Sequence, residues 1–213
     1  MNEFDYCERL DPSFWAEPLN AITNVFFLVS AYYSYKYVHK KRVDKGVFMP
    51  VYLLVFLLVC IGIGSFLWHS FARPWSELAD VIPITLFIYA YLYLFIVKVL
   101  HKPFYLGIVG LIFFTLVNYL IETSFSADVL NGSISYLPAL LFLLVLAFFI
   151  RKEIEFDEMK KAVFVFLLSL FFRSVDFLLC DLFSMGTHFL WHTLNAYMLY
   201  LLVRVLILRN RLK

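Results

Sequence analysis

Residues 53–64 read LLVFLLVCIGIG and residues 136–150 read YLPALLFLLVLAFFI, and these two stretches decide the fold. Both are continuously apolar, whereas a strand of a transmembrane barrel would alternate apolar and polar residues. A helix that crosses a membrane needs about 20 mostly apolar residues. The two stretches therefore predict helices that lie in a membrane.

The composition excludes two broad classes of protein. Of the 213 residues, 63% are hydrophobic and 16% are charged, which is too few polar groups to coat a soluble globular domain. The formal net charge is only +2, so the chain offers no basic surface for a nucleic-acid backbone. We therefore expect a membrane protein that binds no nucleic acid.

Seven apolar stretches, separated by charged clusters, are candidates for helices that cross the membrane. They are residues 18–38, 49–71, 78–98, 103–122, 134–150, 162–181 and 187–208. Seven spans use about 140 residues, which leaves too few for a second domain. We predict an all-α membrane protein, a seven-transmembrane helix bundle formed as a single domain by residues 1–213, with a short acidic segment at residues 1–17.

The basic residues predict the orientation of this bundle. Lysine and arginine residues near helix ends are retained on the cytoplasmic side of a membrane. Most of the 18 basic residues fall in alternate loops and in the C-terminal tail, and only Arg9 and Arg73 fall on the opposite side. We therefore expect a multi-pass integral membrane protein with its N-terminus outside and its C-terminus in the cytoplasm.

Four ionisable side chains are predicted to lie at the same depth in the bundle. His69 ends the second span, Asp80 begins the third, and His188 and His192 begin the seventh. Because ionisable groups inside a membrane are costly, each of them is a candidate functional residue. The predicted topology places all four near the extracytoplasmic face, although they are distant in sequence.

The three histidines predict a zinc site. His188 and His192 are four residues apart, which places their rings on one face of a helix. His69 supplies a third nitrogen, and three protein ligands with one open position is the arrangement of catalytic zinc. A single histidine here would more often be an interfacial ring bonded to a neighbour or to a lipid headgroup. The three together favour the metal site.

Ser65 and Asp80 are the predicted catalytic partners of the zinc site. Ser65 precedes His69 by one helical turn and would lie on the same face, where it could hold the attacking water. Asp80 could accept a proton from this water, or it could orient a metal ligand. Ser65 has an alternative role as a small residue that, with Gly62 and Gly64, lets two helices approach closely.

Four sequence motifs resemble the alkaline ceramidases, intramembrane hydrolases of a superfamily that includes the adiponectin-type receptors. In chain order they are DYCE at 5–8, AEPLNAITN at 16–24, GSFLWH at 64–69 with Asp80 after it, and HFLWH at 188–192. The resemblance covers nearly the whole chain, and the motifs are specific as a set. It implies seven helices, zinc on His69, His188 and His192, and hydrolysis of the amide bond of ceramide-like N-acyl sphingoid lipids to a free fatty acid and a sphingoid base.

The resemblance also implies a calcium site in the N-terminal segment. Its ligands would be Asp5, the Tyr6 carbonyl, Glu8 and Glu17. Leu10 stands where the family has asparagine, and Asp11 could replace that ligand. Calcium takes six to eight oxygen ligands, which an acidic segment could supply, but a segment that is merely solvated would have the same composition.

The resemblance further implies a disulfide between Cys7 and Cys180, which would tie the N-terminal segment to the end of the sixth span. Both cysteines fall on the extracytoplasmic side of the predicted topology, where the surroundings can be oxidising. Cys60 is expected to pack as an apolar residue. Asp176 also matches a family position, and we expect it to pair with Arg173 in a structural role.

Tyr136 and Trp191 are further candidates, for substrate binding, although such residues near a membrane surface are usually belt anchors.

Two alternative functions stay open from the sequence. One is a lipid receptor similar to the adiponectin receptors, in which zinc is structural. The other is a zinc hydrolase of another lipid ester or amide. Product formation separates the receptor from an enzyme, and a panel of substrates separates the hydrolases. The sequence gives no indication of the oligomeric state.

Overall fold

The structure is a computed structural model that describes residues 6–41, 44–126 and 128–211. Its α-helices are α1 (Pro18–Thr23), α2 (Val25–Lys40), α3 (Lys45–Phe71), α4 (Pro74–Leu94), α5 (Phe104–Ser124), α6 (Leu137–Phe149), α7 (Phe156–Val175) and α8 (His188–Arg209). A π-helical turn at Phe95–Val99 continues α4, and a 3-10 turn at Ser133–Tyr136 precedes α6. No strand occurs in the described residues, for which the prediction of an all-α protein is confirmed.

Four helices are long and apolar enough to cross a membrane. They are Lys45–Phe71, Pro74–Val99, Phe104–Ser124 and His188–Arg209, and the segment Ser133–Phe149 is apolar but shorter. Large hydrophobic side chains also cover the outside of the protein, such as Phe56, Phe113 and Phe148, which are 63%, 58% and 59% exposed. An apolar outer surface of this extent is suited to lipid rather than to water, so these features indicate a membrane protein.

The first predicted span, residues 18–38, is two helices instead of one. The break is at Asn24, whose side-chain amide donates to the Asn20 carbonyl at 2.8 Å. The Thr23 hydroxyl donates to the Leu19 carbonyl at 2.7 Å. Side chains that bond to the helix backbone in this way compete with the regular hydrogen bonds and bend helices. The short helix α1 is therefore set apart from α2.

The other predicted spans coincide with helices, with differences at their ends. The largest difference concerns residues 162–181, because α7 begins earlier, at Phe156, and ends at Val175. A 3-10 turn at Phe177–Leu179 follows it. Charged residues fill the first turns of α7, which explains why an apolar pattern located the start of this helix too late.

Helices α3 and α8 occupy the centre of the bundle. α3 packs mainly against α2 and α4, and α8 packs mainly against α2 and α7. α1 contacts both α3 and α8, whereas α5 lies at the periphery with little of its surface buried. This packing brings the end of α3, the starts of α4 and α8, and the whole of α1 to one end of the protein.

Candidate metal centre

Three histidines from two helices lie together at this end of the bundle. His69 is in the last turn of α3, and His188 and His192 are in the first two turns of α8. All three are 1–2% exposed. Their candidate ligand nitrogens lie within 4.8 Å of one another, and among the described residues this is the group of side chains that could hold a metal ion.

The hydrogen bonds of these rings leave nitrogens available to an ion. His69 Nδ1 bonds to Glu17 Oε2 at 2.5 Å and His192 Nδ1 bonds to Thr23 Oγ1 at 3.1 Å, which leaves Nε2 of each ring. His188 Nδ1 is buried without a hydrogen-bond partner in the described part of the chain. Zinc binds histidine nitrogens at about 2.0–2.1 Å in a tetrahedral arrangement, so two of its ligand nitrogens lie about 3.4 Å apart. The three residues therefore fit zinc after a small closure of the rings.

Glu17 fixes the orientation of His69, a role that the sequence did not indicate. The Glu17 side chain is 1% exposed and also bonds to Arg9 Nε at 2.5 Å and to Asn20 Nδ2 at 2.9 Å. Burial raises the pKa of the Glu17 carboxyl, but His69, Asn20 and Arg9 together hold it below its ordinary value. A carboxylate on the far nitrogen of a metal-binding histidine orients the ring and strengthens it as a ligand.

Arg9 supplies the positive charge that balances Glu17 inside the protein. It is 2% exposed, although the predicted topology assigned it only to an outer segment. Besides its bond to Glu17, its Nη2 donates to the His69 carbonyl at 2.8 Å. The guanidinium therefore contacts both members of the Glu17–His69 pair. A buried carboxylate is tolerated when a cation and further hydrogen bonds compensate it in this way.

The residues predicted to bind calcium have other partners where the structure describes them. The Glu8 carboxylate accepts two backbone N–H groups of α1 at 2.7 and 2.9 Å. The Tyr6 carbonyl accepts the backbone N–H of Arg9 at 3.2 Å. Asp11 is exposed and accepts a backbone N–H at 2.7 Å. Asp5 lies outside the described residues. Calcium binding stays a prediction.

Tyr6 contacts two of the candidate metal-binding histidines through its ring. The ring centroid lies 4.2 Å from that of His188 and 4.9 Å from that of His69. Trp68 Nε1 donates to the Tyr6 hydroxyl at 3.2 Å and so holds the ring in place. Tyr6 therefore shields one side of the imidazoles from water.

Asp176 holds the start of α8, where two of the histidines lie. Its Oδ1 accepts the backbone N–H groups of Thr187 at 2.5 Å and His188 at 2.9 Å. Its Oδ2 accepts the N–H of Cys7 at 3.4 Å. A carboxylate at a helix N-terminus satisfies free N–H groups and interacts favourably with the helix dipole. Asp176 thus uses its oxygens on the backbone and not in the expected pair with Arg173.

A disulfide joins Cys7 to Cys180, with Cα atoms 5.2 Å apart. It ties the N-terminal segment to the turn after α7, as the resemblance implies, and Cys60 is a free, partly buried cysteine in α3. Gly186 packs against this connection at a φ of +62°, and a Cβ at this position would overlap the Asp176 carboxylate and Cys7. Glycine is therefore required at the turn that leads into α8.

Ser65 and Asp80 meet at a close approach of α3 and α4. A Cβ on Gly64 would overlap the Ala79 backbone, so glycine permits this approach. The Ser65 hydroxyl lies beside the Asp80 carboxylate. Asp80 Oδ1 is buried without a hydrogen-bond partner in the described residues. A buried oxygen that lacks a partner is uncommon and is available to a substrate or to water.

We expect Gly64→Ala to destabilise the protein, because the new methyl group must push α3 away from the backbone of α4. Overpacking of this kind costs about 1–3 kcal/mol, which thermal unfolding in detergent would measure. Gly110→Ala is the matched control, since its methyl group would meet the flexible end of the Ile96 side chain. Equal melting temperatures for the two variants would contradict the tight approach at Gly64.

A cavity of about 780 Å³ opens beside the histidines. Its walls include Ser65, Asp80, His188 and His192. A second cavity, of about 100 Å³, is lined almost entirely by apolar side chains. Both cavities share the wall residues Phe27, Ile61, Ile84, Tyr136 and Trp191. The polar space at the histidines is therefore adjacent to an apolar space between the helices.

The structure thus brings most of the residues singled out from the sequence to one cavity. Tyr136 and Trp191 are part of its wall, with ring centroids 4.8 Å apart. Sequence reasoning missed Arg9 and Thr23 and gave Glu17 a different role. Glu17 and Thr23 do fall in the motif AEPLNAITN, but their contacts with the histidines depend on the fold.

Comparison with protein families gives one result for this chain. The sequence model of a family described as Ceramidase matches residues 2–212. A comparison with curated proteins finds no match.

Proposed function

The chain belongs to the ceramidase family, and we propose on this basis that it is a zinc-dependent hydrolase that works within the membrane. Its substrates would be ceramide-like N-acyl sphingoid lipids, whose amide bond it would cleave to a free fatty acid and a sphingoid base. The observation that carries the proposal is the group of three buried histidines beside the cavity. Catalytic zinc sites use three protein ligands and keep a fourth position open.

We propose that this site lies near the extracytoplasmic face of a single seven-helix domain. Helices at all seven predicted spans support the count. Arg151 follows α6 at the end of the bundle remote from the histidines, and Lys98 and Lys102 follow α4 at that same end. Basic residues at this end are expected to face the cytoplasm. The N-terminus would then be outside and the C-terminus inside the cell.

His69, His188 and His192 would hold the zinc ion. When bound, zinc would supply a Lewis acid that polarises the substrate carbonyl. Glu17 and Thr23 bond to the far nitrogens of His69 and His192, and they would keep these rings in the orientation that binding requires.

Asp80 is the proposed base of the reaction. Its Oδ1, which has no hydrogen-bond partner among the described residues, would take a proton from the water that attacks the amide carbon, and would return it to the nitrogen as the C–N bond breaks. The Ser65 hydroxyl, beside Asp80, would hold this water by a hydrogen bond. Tyr136, in the same wall, would donate to the carbonyl oxygen as it gains negative charge.

The apolar cavity would receive the first carbons of an acyl chain, since a cavity of about 150 Å³ holds a molecule of the size of benzene and this one has about 100 Å³. Tyr136 and Trp191 line both cavities, so a chain can pass beside them from the reaction site. Burying a chain contributes about 0.8 kcal/mol per CH₂ group. This energy would hold the amide bond at the histidines.

One experiment tests both whether the protein binds zinc and which chemical bond of a lipid it cleaves. We expect purified protein to contain about one zinc ion per chain and to release fatty acid from ceramides in a zinc-dependent way. Esters and other N-acyl lipids complete the substrate panel. Zinc without release from any N-acyl lipid would favour the receptor, and release from esters alone would favour another lipid hydrolase.

Glu17→Gln should weaken zinc binding by about 10- to 100-fold, because the glutamine cannot hold His69 as a charged acceptor does. Competition with a chelator of known affinity would measure the change. Asp11→Asn is the control, since it removes an exposed carboxylate from the same segment. If both variants bound zinc as the wild type does, Glu17 would have no role in orienting His69.

A further inference from the structure

Arg173 places a positive charge in the wall of the cavity that His188 and His192 line. It lies in the last turn of α7, and it lines the cavity together with His188 and His192. Its Nε is buried without a hydrogen-bond partner in residues 6–41, 44–126 and 128–211. The ion pairs formed within those ranges do not include Arg173.

The neighbours of Arg173 compensate this charge only in part. Its guanidinium carbon lies 5.5 Å from the ring centroid of Tyr136 and 5.2 Å from that of Trp191. Such cation–π contacts are weaker than the hydration that a buried guanidinium loses. Asp176, three residues further along the chain, uses its oxygens on the backbone of α8 and of Cys7. The Tyr6 hydroxyl also lies beside the guanidinium, and the Asp80 carboxylate lies near it without forming an ion pair. The Nε donor still has no partner in the described residues, so the guanidinium keeps capacity to bind an anion.

The position of this charge indicates a ligand. A charged side chain inside a membrane protein is costly and generally marks a site of binding or transport. A metal ion at the three histidines would add further positive charge to the same cavity. The cavity wall also carries the carboxylates of Glu77, Asp80 and Asp128, but none of them forms an ion pair with Arg173 within the described residues. The guanidinium therefore remains the group in this wall that can bind a negative group of a ligand directly.

We propose that Arg173 binds an acidic group, a carboxylate or a phosphate, of an N-acyl lipid in this cavity. The inference rests on the proposed function, since it takes cleavage of the amide bond at the histidines as given. It adds a substrate class, because ceramide itself is neutral. A guanidinium presents a fork of N–H donors that matches both acidic groups.

The arrangement of the cavities supports this placement. Tyr136 and Trp191 flank the guanidinium and also line the apolar cavity. A lipid whose acidic group lies on Arg173 can therefore extend its acyl chain between the helices. Its amide bond then lies in the space shared with the histidines.

The first test compares neutral and acidic substrates with the same acyl chain. Ceramide and N-palmitoylethanolamine are the neutral pair, and ceramide 1-phosphate and N-palmitoylglycine are the acidic pair. We expect Arg173→Gln to lower kcat/KM for the acidic pair by at least about tenfold, mainly through KM, and to leave the neutral pair nearly unchanged. Arg173→Lys should restore most of the loss, and Arg151→Gln, at the opposite end, should match the wild type.

Two outcomes of this test overturn the inference without touching the proposed function. One is a wild-type protein that hydrolyses ceramide but neither acidic lipid. The other is an equal loss on neutral and acidic substrates in Arg173→Gln, which would assign Arg173 to folding or to the reaction itself. Failure of the wild type on every N-acyl lipid would instead refute the proposed function.

A second test needs no turnover. Binding of N-palmitoylglycine and N-palmitoylethanolamine to chelator-treated protein can be followed by tryptophan fluorescence, since Trp191 adjoins the guanidinium. We expect the wild type to bind the acidic lipid at least about tenfold more tightly, and Arg173→Gln to lose this preference. No preference in the wild type overturns the inference. The inference is also overturned if Arg173 strengthens the binding of palmitic acid but not that of N-palmitoylglycine, because Arg173 would then bind the fatty acid product.

Discussion

Replacement of any one of the three histidines by alanine should remove both the bound zinc and the hydrolysis of ceramide. His69, His188 and His192 are each buried, and no other group of described side chains could hold a metal ion in place of the one lost. A catalytic metal ion stabilises the charge of a transition state by several kcal/mol, and each 1.4 kcal/mol is about tenfold in rate. We therefore expect activity to fall by at least about a thousandfold.

Elemental analysis and a fatty-acid release assay on the same preparations would measure both effects. His39→Ala is the matched control, because His39 is exposed on α2 and bonds only to Tyr52 in the described residues, at 2.8 Å. Retention of zinc and full activity in any of the three variants would refute the assignment of that histidine. A melting temperature close to that of the wild type would show that the loss is local.

Asp80→Asn should lower the rate of hydrolysis without lowering the binding of zinc. The asparagine keeps the size of the side chain but cannot take a proton, so zinc should stay bound while turnover falls by about 10²–10⁴-fold. Glu77→Gln is the control, since Glu77 lines the same cavity one helical turn before Asp80. We expect it to keep its activity.

The outcome for zinc decides which role Asp80 has. If Asp80→Asn loses the zinc ion, Asp80 is a ligand or an essential orienting group, and the base must be another residue. If it keeps both zinc and full turnover, Asp80 takes no part in the reaction. The two readouts are therefore needed on the same sample.

The positions of the helices could be predicted because continuous apolar stretches are a local property of the sequence. Residues 53–64 and 136–150 fall in α3 and in the segment that contains α6. The break at Asn24 could not be found in this way, because it depends on side chains that bond to the backbone of their own helix. The early start of α7 was missed since its first turns are charged, and hydropathy locates only the apolar part of a helix.

The candidate site was partly predictable for a related reason. The spacing of His188 and His192 is a helical turn, and the topology that joins α3 to α4 brings His69 near Asp80. Glu17 was different, because its contact with His69 joins residues 52 positions apart. A carboxylate in an acidic segment gives no sign of whether it binds a cation from solution or a side chain of the protein.

The buried contact between Arg9 and Glu17 has a consequence for related chains. A homologue with a neutral residue in place of Arg9 would keep a carboxylate in the interior without the guanidinium that helps to compensate its charge, which is unfavourable. Such a protein must recruit a cation from solution to that place or lose the acidic residue as well. We therefore expect the residue at this one position to vary together either with the acidic residue or with a requirement for a dissolved cation.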